Sequence, residues 1–160
     1  MKKEEAIVLT NGLLDTDDAK TCHGLLRHTD RFEVLAVIDE KFAGRDAGEV
    51  LDGKNRNVPV FASVEDYFQQ NWARPRYCVV GVALQGGHLP GVFRRDLLDA
   101  ISHGLSLVNG LHTLLSEDPE FTEAAGKHGV GIIDIRRPRP TSELKFWSGE
   151  IYSVKTPRIA

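Results

Sequence analysis

Six short apolar runs recur along the chain, at residues 6–10, 34–39, 58–62, 77–84, 105–108 and 130–135. They are rich in Val and Ile and do not alternate with polar positions. Runs of that kind fit strands covered on both faces, as in a parallel sheet. Their starts lie 19–28 residues apart, the length of a strand–helix unit.

Helix signals fill the gaps. The first helix is predicted to begin near Asp15 and to carry Leu25 and Leu26. Asp46 and Glu49 have the spacing of a capping box. Ser63 opens a weaker version that runs to Gln70. Pro90 is expected just inside the start of a helix carrying Val92, Phe93, Leu97, Leu98 and Ile101, with Gly104 ending it. Asp118-Pro119 opens a further helix that Gly129 closes. The alternation predicts an α/β fold: a Rossmann-like, open, mainly parallel sheet with helices on both faces.

The pattern changes beyond Arg136. Residues 136–140 form a basic, proline-rich connector, and residues 144–147 and 150–154 are expected to pair as a C-terminal hairpin across Ser148-Gly149. This divides the chain into a Rossmann-like unit over residues 1–140 and a hairpin and linker over 141–160.

Composition narrows the function classes. In a chain of 160 residues, 41% are hydrophobic and 27% charged, as in ordinary globular domains. The net charge of −3 argues against a nucleic-acid partner, which favours a basic surface. The longest apolar run, 77–84, is far shorter than a membrane span. The start lacks the apolar core of a signal peptide. Cys22 and Cys78 make no metal-binding pattern and fit reduced thiols of a cytoplasmic protein.

Ligands of open α/β sheets bind beyond the carboxyl ends of the strands, where the strand order reverses. For a Rossmann order, the loops after strands one and four flank that point. The first loop has only Gly12, followed by Asp15, Asp17 and Asp18, in place of Gly-x-Gly-x-x-Gly. Its acids would repel a pyrophosphate, although Lys20 nearby partly offsets them. Lys20 is either a ligand contact or a solvated ion-pair partner.

The fourth loop, Gln85-Gly86-Gly87-His88-Leu89-Pro90-Gly91, is less acidic and is followed by Arg94 and Arg95. It either cradles an anion with backbone N–H groups or simply needs glycine for a tight turn. Asn109 and Gly110, after the fifth strand, should adjoin it. Of the six histidines, only His88 and His112 fall at this edge, as candidates for binding or acid–base work. Asp39 ends the second strand, where an acid takes ribose hydroxyls in dinucleotide enzymes, or it is a plain loop acid. No Tyr-x-x-x-Lys pair, Gly-x-Ser-x-Gly elbow or Walker A motif is present.

Several stretches together resemble one family. They are Ala36-Val37-Ile38-Asp39, Ala43-Gly44-Arg45-Asp46-Ala47-Gly48-Glu49-Val50, Val58-Pro59-Val60, Gly81-Val82-Ala83, Gly86-Gly87-His88-Leu89-Pro90, Asn109-Gly110-Leu111-His112, Ser116-Glu117-Asp118-Pro119 and Ile133-Asp134-Ile135-Arg136. The chain is similar to the N-terminal Rossmann-like domain of the domain-of-unknown-function family numbered sixteen-eleven. The resemblance implies a following P-loop domain as partner, its first strand beginning near Arg158. Some relatives are assigned as D-glutamate N-acetyltransferases using acetyl-CoA, and many are loosely labelled NAD-dependent epimerase or dehydratase. The resemblance therefore implies half of a two-domain enzyme. That half would bind a small anionic metabolite or nucleotide-like ligand, with acetyl-CoA or an ATP-like cofactor elsewhere. His88 or His112 would act as base, and Gly86, Gly87, Asn109, Gly110, Arg94, Arg95, Asp39 and Lys20 would line the ligand. The alternatives are an NAD(P)-dependent oxidoreductase domain and a non-catalytic docking or oligomerisation domain, and a homo-oligomer is expected.

Overall fold

A computed structural model describes residues 2–70, 72–144, 149, 152 and 153. Six strands form one sheet: β1 (Glu4–Leu9), β2 (Phe32–Ile38), β3 (Val60–Phe61), β4 (Tyr77–Val80), β5 (Ser106–Asn109) and β6 (Ile132–Asp134). Their order is β3-β2-β1-β4-β5-β6, and every pairing is parallel. The five α-helices are α1 (Lys20–Arg27), α2 (Ala47–Asp52), α3 (Val64–Gln69), α4 (Gly91–Ser102) and α5 (Pro119–His128).

Burial on both faces follows from the uninterrupted apolar runs. In β1, Ile7 and Leu9 pack with Cys78 and Val80 beneath Tyr67 of α3, Phe93 and Leu97 of α4 and Phe121 of α5. Ala6 and Val8 face the other way, with Val79, against Cys22 and Leu26 of α1 and Ala47 of α2. The period-two alternation of side chains thus divides β1 to β5 between two cores, while the edge strand β6 leaves Ile133 exposed. Helix α3 is the crossover that carries the chain from the β3 edge to the far side of β1, and it moves the later helices to the second face.

Two expected boundaries shift. Strand β4 has four residues, where the apolar run suggested eight. Gly81 still bonds Leu9 O, but Ala83 N turns to Asp18 O, so the chain leaves the sheet. Gly81 lies so close to β1 and α1 that a Cβ there would come 2.5 Å from Val8 Cγ1 and 3.1 Å from Cys22 Cβ. The first helix begins later than predicted, with a 3-10 turn at Asp17–Ala19 leading into α1. Asp15 is not a helix charge at all: it pairs with Lys41 at 2.8 Å.

The caps largely match their sequence signals. Ser63 accepts from Asp66 N, and Asp118 caps α5 with Pro119 at the first helical position. Pro90 sits one place earlier than expected, at the N-cap of α4. Asp46 does more than cap α2. It also accepts from Arg56 N at 3.0 Å and Val58 N at 2.8 Å, and so holds the approach to β3. Among the described residues, no helix is long and apolar enough to cross a membrane. The hairpin expected over 144–154, and with it the 141–160 unit, falls largely outside the described residues.

Several of these carboxylates link stability to pH. Burial pushes the Asp46 carboxyl up, but four backbone N–H donors outweigh it and hold it below its ordinary 3.8. Asp134 is likewise pushed up by burial and brought below 3.8 by donors from Ser116, Asn109 and Leu115. Asp118 is lowered chiefly by Arg94. A depressed folded-state pKa gives stability that is present above the unfolded value and lost as pH falls through the folded value. Thermal melts should therefore hold steady down to about pH 5 and fall steeply below about pH 4. Asp134→Asn should show a shallower acid limb, and an unchanged limb would show that this carboxylate contributes nothing to it.

Candidate functional site

The strand order reverses between β1 and β4. On the β1 side of that point, the carboxyl ends of β1, β2 and β3 and the first two turns of α4 enclose an open cleft of about 950 Å³. Asn11, Gly12, Asp39, Lys41, Arg95 and Asp96 are among its walls.

Asp39 directly follows β2, where the sequence placed a ligand contact. Its carboxylate is fully buried and committed inside the protein. Oδ2 accepts from Thr10 Oγ1 at 2.7 Å, Gly12 N at 2.9 Å and Leu14 N at 3.1 Å, and Oδ1 accepts from Lys41 N at 3.1 Å. In dinucleotide-binding folds the amides of this first turn face a pyrophosphate. Here two of them face the protein's own carboxylate. Asp39 therefore lines the cleft while its oxygens bond the protein's own backbone and Thr10, and it shapes the first loop.

The opposite wall carries unsatisfied chemistry. Asp96 of α4 is half-buried, and its Oδ2 accepts a hydrogen bond from Asn11 Nδ2. Burial pushes the Asp96 carboxyl up; Asn11 and Arg95 oppose that rise, and Asp99 and Glu40 add to it. Asn11 has a φ of +48°, a left-handed conformation that asparagine tolerates better than most residues. Arg95 is exposed on the cleft wall, and no described residue bonds or pairs with its guanidinium. Lys41 is less free, because its Nζ bonds both oxygens of Asp15.

The two glycine-containing loops meet, as the topology predicted. Gly87 O accepts from His112 N at 2.7 Å and Thr113 N at 3.2 Å, and Leu89 N donates to Thr113 Oγ1. Gly86 and Gly87 both have positive φ, at +76° and +66°. The junction is nevertheless separate from the cleft: Gly86, Gly87, His88, Gly110 and His112 are not among its walls. His112 is exposed, with Nε2 3.4 Å from Arg136 Nη1, while Arg136 Nε bonds Gly110 O.

Two further candidates brace the structure, and a third lies on the surface. Asn109 is buried, donating to Thr113 O and Asp134 Oδ1 and accepting from Leu111 N, so it braces the fifth loop. Arg94 points to α5, ion-paired with Asp118 and Glu120 over the Phe121 ring. Lys20 is exposed at the start of α1, outside the cleft. Only Arg95 of the predicted cations reaches the cleft unpaired. Asn11 and Asp96 were not predicted. The one signal for Asn11 was the Asn-Gly dipeptide, which favours positive φ.

A parallel sheet ordered 3-2-1-4-5-6 with helices on both faces makes this a Rossmann-like domain. The model of the family described as "Domain of unknown function (DUF1611_N) Rossmann-like domain" matches residues 40–138, and the chain belongs to that family. It is similar to the crystal structure of a DUF1611 family protein from Anabaena variabilis, at 32% identity and a TM-score of 0.79, covering 94% of this chain and 42% of that one. A D-glutamate N-acetyltransferase from a Pseudoalteromonas species is 32% identical over 81 residues, which are 51% of this chain and 23% of that protein. One from Tritonibacter scottomollicae is 35% identical over 60 residues, 38% of this chain and 18% of that protein. The matched segments are thus under a quarter of those relatives' length. An NAD-binding protein from Listeria innocua shares the fold, with a TM-score of 0.51 at 15% identity over 84% of this chain and 35% of that one.

Proposed function

We propose that this chain is the substrate-binding part of an acetyltransferase acting on the amine of D-glutamate or a closely similar small anion. Arg95 carries the proposal: it is an unpaired guanidinium on the wall of the cleft where the strand order reverses. A guanidinium there suits a carboxylate, which it can hold through paired N–H donors. The partial similarity to two D-glutamate N-acetyltransferases supports the choice of substrate. The acetyl donor, a CoA thioester, and a P-loop domain would belong to the remainder of such an enzyme. His88 and His112 take no part in this assignment, because neither lines the cleft.

The NAD-dependent alternative is disfavoured by Asp39. With its carboxylate on the amides of Gly12 and Leu14, a cofactor pyrophosphate would meet a negative charge at its usual seat. Titration calorimetry with D-glutamate and with NAD tests both. D-glutamate should bind and NAD should not, and Arg95→Ala should weaken D-glutamate by about tenfold, as for loss of a charge-assisted hydrogen bond. No heat of binding at millimolar D-glutamate, or micromolar binding of NAD, would refute the assignment.

A further inference from the structure

We infer that Asp96, held in place by Asn11, recognises the amine of the ligand, so that the cleft selects amino dicarboxylates over dicarboxylates that lack an amine. This rests on the substrate class proposed above and assigns the end of the cleft opposite in charge to Arg95.

Asp96 and Arg95 are consecutive residues of α4, and both line the same cleft. One carries a carboxylate and the other a guanidinium, the complement of a ligand bearing both a carboxylate and an ammonium. Asn11 engages only one Asp96 oxygen, and no described residue bonds the other. An ionised carboxylate only accepts, so Asn11 must present its NH₂ group to Asp96. The Asn11 carbonyl oxygen then remains as a second acceptor, and it too has no bonding partner among the described residues. An ammonium has three donors and no acceptor, which fits a pair of free oxygens.

The groups around Asp96 agree with this. Glu40, from the segment after β2, also lines the cleft and adds negative charge. Asp99, one turn along α4 and outside the cleft wall, adds more. Arg95 acts on Asp96 as a neighbouring cation, and a bound carboxylate would engage it. Partial burial then leaves the Asp96 charge poorly compensated until a cation arrives. The left-handed backbone at Asn11 delivers its amide to a residue 85 positions away. A local turn requirement alone would have been met by glycine.

The test compares D-glutamate with glutarate, which has the same two carboxylates and no amine. Calorimetry on the whole chain should show D-glutamate binding at least about tenfold tighter than glutarate, the size expected for one charge-assisted contact. Asp96→Asn, of the same shape, should remove that preference without weakening glutarate. Asn11→Gly keeps the backbone conformation and should reduce the preference in the same direction. Equal binding of the two ligands by the wild-type chain, or a preference that survives Asp96→Asn, would overturn the assignment of Asp96 while leaving the substrate class standing. Failure of the wild type to bind either ligand would instead remove the substrate class, and this inference with it.

Discussion

Asp39→Ala should be among the most damaging single substitutions in this chain, lowering unfolding free energy by about 3–5 kcal/mol by leaving several donors without their acceptor. Four donors converge on the carboxylate: the Thr10 hydroxyl and the amides of Gly12, Leu14 and Lys41. Each buried donor left without a partner costs about 1–3 kcal/mol. The total stays below their sum because Gly12 is only partly buried and its amide can turn to water. Asp39→Asn should cost less, about 2 kcal/mol, since one oxygen remains while the new NH₂ faces donors. Small domains have about 5–15 kcal/mol in all, so the alanine variant should be marginal at room temperature. Urea unfolding gives the answer through a fall in midpoint at unchanged slope. A loss under about 1 kcal/mol would mean that the first-turn amides are well solvated without Asp39, and the case against a pyrophosphate at that turn would weaken with it.

The fold was legible because each strand is apolar on both faces, and that pattern has few solutions besides a parallel sheet with two helical layers. The overlong fourth strand shows the limit of the pattern. Val82 is buried and Leu84 half-buried just as strand residues are, but in a loop lying over the sheet edge. Hydrophobicity reports burial and does not report whether the backbone bonds a neighbouring strand.

The site was only partly legible, for reasons that differ by residue. The meeting of the fourth and fifth loops followed from topology alone. Arg94 and Arg95 could not be told apart, because neighbours on a helix point about 100° apart and the sequence does not say which direction faces the cleft. One braces α5 and the other is free. Asp39 stands where a ribose-binding acid would stand, yet its direction is set by Thr10 and by two loop amides. Asn109 reads as a loop asparagine and is a buried brace. The pairing of Asn11 with Asp96 joins two loci 85 residues apart, and neither carries a local pattern that marks it.

Gly87→Ala should be the other large effect, about 2–4 kcal/mol, from two separable causes. The first is conformational: φ at Gly87 is +66°, which costs an L-residue about 1–2 kcal/mol. The second is steric. A Cβ at Gly87 would lie 2.0 Å from His112 Cδ2 and 2.7 Å from its Cγ, so the His112 ring must turn away and its Cβ, at 3.0 Å, must give with the fifth loop. Moving it strains the bonds from His112 N and Thr113 N to Gly87 O, which join the two loops. Gly86→Ala is the control. Its φ is +76° and its nearest contact, His88 Cδ2, is at 3.4 Å, so it should show the conformational cost alone, about 1–2 kcal/mol. Combining Gly87→Ala with His112→Ala removes the two shortest contacts and leaves only the approach to His112 Cβ at 3.0 Å. The double variant should therefore regain about 1–2 kcal/mol relative to the sum of the single changes, a coupling of the size seen between residues in contact. Additive losses would mean that the loops do not touch through His112. Because Gly87 does not line the cleft, the double variant should also bind D-glutamate as the wild type does, and a loss of binding there would return the fourth loop to the site.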